Sequence, residues 1–163
     1  PAHVLTARNV LVNHLKTLDL SHAVLVSPDA GEVKDLAPFT DMLNLPMAII
    51  DKRRYDDTET PHTHGIVGNV KGKTAILIDD EIASAGTICT AAEFLMTQGA
   101  ERVWALCTHP VFSGNAVERL NAAPIERIIV TDSLPMPPHK RLEKLTVLSI
   151  APVLADTIKS LFF

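Results

Sequence analysis

The chain has little cysteine, no long apolar run and no excess of basic charge, and each shortage removes a class of function. Its two cysteines, Cys89 and Cys107, sit in apolar surroundings without metal-binding spacing. They read as reduced, buried thiols rather than as a disulfide or a zinc site. Every apolar run falls far short of the ~20 residues that cross a bilayer, so no membrane span is expected. The opening residues, PAHVLTARNV, lack the basic segment and apolar core of a secretory signal, which makes the cytoplasm the expected location. A formal charge of -4 argues against general affinity for nucleic acid, which depends on basic patches that release counterions. Any anionic ligand must therefore be held by local features.

What is present is one domain's worth of chain. The 163 residues, 47% hydrophobic and 21% charged, suffice for a single compact core. Apolar, β-branched runs at 22–27, 47–50, 74–79, 102–108, 127–131 and 146–150 predict strands. Several are apolar at nearly every position, the pattern of strands covered by helices on both faces. Helical patterns at 6–19, 31–44, 85–100, 113–123 and 151–161 fall around and between them. This alternation predicts an α/β fold with a mostly parallel twisted sheet, helices on both faces, and ligands at the carboxyl ends of the strands. Two stretches, 51–65 and 133–144, read as loops long enough to act on a ligand.

The densest chemical signal is AILIDDEIASAGT, residues 75–87. A strand, a turn of small residues and then a helix present unpaired N–H groups and the positive end of a helix dipole, which suits a phosphate. Ser84, Ala85, Gly86 and Thr87 fit that description, with Gly86 letting the backbone approach the anion. Asp79 and Asp80 would repel the phosphate, so they need vicinal hydroxyls or a cation to hold. A sugar phosphate offers both ends, although an ordinary strand-to-helix turn would share the pattern. A second strand–turn–helix stretch, VSPDAGEVKD, puts Asp29 at the same sheet edge, either as an oxygen ligand for Mg2+ or as a helix cap. In IIDKRR, Lys52 and Arg54 alternate along an extended segment and so project to one side. Such cations suit phosphoryl transfer, and a solvated surface would share the pattern. The P-loop-like VKGKT at 70–74 leads into a strand rather than out of one and reads as a tight turn, and His62 and His64 read as solvated.

These stretches, with CTHPVFSG, IERIIVTDS, VLSIAPVLADTI and the final SLFF, follow one another as in the C-terminal half of ribose-phosphate diphosphokinase, also called phosphoribosyl pyrophosphate synthetase, and the chain resembles that family over nearly all its length. The resemblance implies a type I phosphoribosyltransferase fold over 1–163. It also implies transfer of a diphosphoryl group from ATP to the C1 hydroxyl of ribose 5-phosphate with Mg2+, giving AMP. On matching positions it implies that Asp79 and Asp80 hold the ribose hydroxyls and that Ser84, Ala85, Gly86 and Thr87 hold the 5-phosphate. It further implies that Lys52 and Arg54 form the catalytic pair of a closing loop and that Asp29 binds magnesium. A homo-oligomer is implied for the full-length protein. Three positions depart from the family: Ala83 where a further aspartate is usual, Glu32 in place of glycine, and Lys34 near a usual arginine. Members are about twice as long, the other half carrying a magnesium-binding histidine and adenine contacts. A free-standing phosphoribosyltransferase and a non-catalytic regulatory or binding subunit are the alternative readings, Ala83 and Glu32 favouring the latter.

Overall fold

The computed structural model describes residues 3–29, 31, 33–53 and 62–162, with only the backbone at 52–53 and 62–64. The strands are β1 (Ala23–Ser27), β2 (Met47–Arg53), β3 (His62–Val67), β4 (Thr74–Glu81), β5 (Arg102–His109), β6 (Arg127–Thr131) and β7 (Leu145–Leu148). The helices are α1 (Arg8–Leu15), α2 (Val33–Leu43), α3 (Gly86–Thr97), α4 (Ala116–Ala122) and α5 (Ala151–Phe162). The strands form one sheet in the order β3-β2-β1-β4-β5-β6-β7. Every pairing is parallel except the antiparallel β2/β3 edge.

Side chains alternate along the central strands, so two cores form, one on each face. Val24, Val26, Leu77, Ala105 and Val130 face Ile88, Leu95 and Leu120 of α3 and α4. Leu25, Ile76, Trp104, Leu106 and Ile129 face Leu11, Leu15, Leu36 and Phe39 of α1 and α2. Burial on both faces explains why these strands read as unbroken apolar runs. The chain leaves β1 to build β2 on one side and returns to place β4 on the other. The carboxyl ends of β1 and β4 therefore flank a topological switch point, the usual ligand crevice of such sheets.

One expected loop is in part a strand. Residues 51–53 prolong β2 past a register shift between Asp51 and Lys52, and β3 begins at His62. Polar residues are tolerated there because an antiparallel edge strand has water on one side, so the apolar-run criterion does not detect it. The 70–74 segment is a turn: Gly72 has φ +68°, and Lys73 N–H donates to the Val70 carbonyl at 3.1 Å.

Candidate functional site

Three acids stand at the switch point. After β1, the buried Ser27 hydroxyl donates to the Asp29 carbonyl at 2.6 Å, and the Asp29 carboxylate accepts from Gly31 N–H at 2.7 Å, which holds the turn that opens toward α2. At the end of β4, Asp79 and Asp80 follow Ile78 out of the core. Burial, together with a hydrogen bond to the neighbouring Asp80 carboxyl and the charge on it, pushes Asp79 up to about 6 from its ordinary 3.8. A half-buried acid is ionised at the cost of solvation, and that cost falls when a hydroxyl or a cation meets it.

Beyond the acids the chain turns tightly into α3. Ile82 N–H donates to the His109 carbonyl at 3.1 Å. Phe112 N–H donates to the Ile82 carbonyl at 3.0 Å and Ser113 N–H to that of Ala83 at 2.9 Å. Ala85 occupies the N-cap position with φ +63°, no side chain caps the helix, and the first turn carries no acid. The leading N–H groups of α3 are thus left without a side-chain acceptor, which is the arrangement an anion completes. The left-handed conformation of this turn falls on Ala85, beside the glycine through which the sequence has the backbone approach the anion. A Cβ on Gly86 would meet Arg119 Nη1 at 3.4 Å and Ser84 Oγ at 3.7 Å.

Asp29, Asp79, Asp80, Ala83, Ser84, Ala85, Gly86 and Thr87 all line one cavity of about 260 Å3. A second cavity of about 170 Å3 shares Asp79 and Asp80 and extends over Arg8, Phe39 and Thr108 on the opposite face. Seven of the nine candidate residues are therefore brought together. Lys52 lies on the backbone of β2, its side chain and Arg54 falling outside the described residues, as does Glu32. Lys34 is exposed on α2.

Arg119 of α4 was not signalled by the sequence. Its Nη1 donates to the Ser84 carbonyl at 3.2 Å across 35 residues of chain. No local motif encodes so distant a contact; it follows from the packing of α4 beside α3. The cysteines are buried, and burial raises both thiols above their ordinary value. Among the described residues no group of three or more potential metal ligands stands preassembled, and no helix is long and apolar enough to cross a membrane.

A family model described as the phosphoribosyl synthetase-associated domain matches residues 57–163. The chain belongs to that family. Ribose-phosphate pyrophosphokinase of Bacillus subtilis is 46% identical over 149 residues, which are 91% of this chain and 47% of that protein. The same-named protein of Corynebacterium ammoniagenes is 44% identical over the same shares. The chain spans about half the length of the curated relatives it matches. The crystal structure of phosphoribosylpyrophosphate synthetase from Mycobacterium smegmatis superposes with a TM-score of 0.87 at 40% identity, covering 96% of this chain and 50% of that one. A purine phosphoribosyltransferase from Pyrococcus horikoshii, at 16% identity and TM-score 0.54, shares the fold. The chain thus has the α/β architecture that the alternation of its strands and helices predicts.

Proposed function

We propose that this chain is the ribose 5-phosphate-gripping domain of a ribose-phosphate diphosphokinase, equivalent to the C-terminal half of that enzyme. One observation carries the reading: two acids and an uncapped helix amino end share a single cavity. The 5-phosphate accepts from the backbone N–H groups at 84–87 and from the Ser84 and Thr87 hydroxyls, while the ribose hydroxyls donate to Asp79 and Asp80. In the reaction the C1 oxygen attacks the β-phosphorus of ATP and loses its proton. The bond from the β-phosphorus to the oxygen bridging to the α-phosphorus breaks, and AMP departs with that oxygen. Lys52 and Arg54 would stabilise charge on the transferring oxygens.

The donor set at this edge is all carboxylate oxygen, which suits a hard cation. Mg2+ binds through one or two carboxylates plus substrate phosphates and needs no preformed cage. Asp29 with Asp79 or Asp80 would hold it, and the ion would neutralise charge on the diphosphate.

The relatives' greater length supports a division of labour, with the remaining contacts to ATP supplied by a second half. The chain should accordingly bind ribose 5-phosphate in calorimetry yet release AMP from ATP slowly. Vigorous AMP formation by the chain alone would refute the division, and absence of ribose 5-phosphate binding would refute the site. A second reading, a non-catalytic binding subunit, is favoured by Ala83, which lines the cavity without adding a further carboxylate. Ribose 5-phosphate binding without AMP release, even with the other half of a relative supplied, would select it.

A further inference from the structure

We propose that Arg119 is a positioning residue for the phosphate grip: from α4 it holds the peptide joining Ser84 to Ala85 so that the Ala85 N–H faces the cavity. The inference rests on reading residues 84–87 as the phosphate site. Three successive carbonyls of this turn are held from outside it, that of Ile82 by Phe112 N–H, that of Ala83 by Ser113 N–H and that of Ser84 by the Arg119 guanidinium at 3.2 Å. The first two partners are backbone groups and survive any substitution of their side chains other than proline. The third is one side chain, and among the described residues no carboxylate forms an ion pair with it.

Peptide geometry turns that bond into a functional statement. In a planar trans peptide the C=O and the N–H point in opposite directions, and the chain has no cis peptide among the described residues. A Ser84 carbonyl turned toward Arg119 therefore places the Ala85 N–H on the far side of the same plane. Rotating this one plane would exchange donor for acceptor and set a carbonyl oxygen against the ligand's anionic oxygens. Nothing in Ala85 itself opposes the rotation: its φ of +63° is a conformation that residues with a Cβ avoid, so relief of strain favours the flip. Strained backbone of this kind persists only where its surroundings over-determine it. The charge-assisted bond from Arg119 is such a restraint. Gly86 lies beside the same group, a Cβ there standing 3.4 Å from Nη1, within van der Waals contact.

The test is calorimetric titration of the chain and its Arg119→Ala, Arg119→Lys and Arg119→Gln variants with ribose 5-phosphate and separately with inorganic phosphate, alongside amide NMR of Ala85. Arg119→Ala should weaken both ligands about tenfold and abolish the shift of the Ala85 amide on phosphate addition, and Arg119→Lys should recover part of each. Thermal melts monitor folding, and if Arg119→Ala does not fold, the lysine and glutamine variants decide by the same two readouts. Affinity within about twofold of the parent in Arg119→Ala, or weakened binding with the Ala85 shift intact, would overturn the proposal. A parent chain that binds neither ligand would instead remove the site reading, and Arg119's role with it.

Discussion

Replacing Asp79 by asparagine keeps the shape of the side chain and removes a charge that the fold holds at a cost. The carboxyl is raised from 3.8 to about 6 by burial and by its Asp80 neighbour. Because the folded value lies above the unfolded one, the folded chain keeps a proton that the unfolded chain sheds between those two values. The associated stability is fully present below about pH 4 and is lost as the pH rises through about 6. A shift of that size corresponds to at most ~3 kcal/mol, and partial exposure of the carboxyl reduces the figure to about 1 kcal/mol. Asp79→Asn should thus stabilise the free chain by about 1 kcal/mol near pH 7.5 and leave it almost unchanged near pH 4, as read by urea unfolding at the two pH values. The same variant should bind ribose 5-phosphate at least about tenfold more weakly, having lost an acceptor for a ribose hydroxyl. Equal stability changes at both pH values would refute the claim that the carboxylate is strained by its surroundings.

Other substitutions probe the parts separately. Ala85→Gly removes the left-handed strain at φ +63° and should raise stability by about 1 kcal/mol in thermal or urea unfolding. Gly86→Val adds methyl groups beyond a Cβ that already stands in van der Waals contact, 3.4 Å, with Arg119 Nη1, and by crowding Arg119 should weaken phosphate binding about tenfold in calorimetry. Leu95→Ala, at a fully buried position of α3, should cost about 2–5 kcal/mol in urea unfolding. In a full-length enzyme, Lys52→Ala should lower kcat for AMP formation while leaving ribose 5-phosphate affinity within about twofold.

Much of this architecture is written in the order of the residues because burial on two faces leaves a plain mark. The run 127–131 is the strand β6, and 74–79 lies within β4, since each must be apolar toward both helical layers. The acids and small residues of 79–87 were legible for a related reason: a strand, turn and helix in succession fix where the ligand edge lies. Strand β3 was not legible, because HTHGIV sits at an antiparallel edge where polar residues carry no penalty. The left-handed strain at Ala85 carries no mark in the residue order, since glycine is the usual occupant of such a conformation and only the surrounding contacts can impose it on alanine. Arg119 escaped notice because its partner, Ser84, is distant in the chain and near only after α4 has packed.

The most direct test of the central claim is an amide NMR titration of the chain with ribose 5-phosphate. The account predicts that the amides of Ala85, Gly86 and Thr87 move most, with Asp79 and Asp80 following as the ribose docks. Saturable binding that leaves those three amides unmoved, with the shifts elsewhere on the surface, would contradict it.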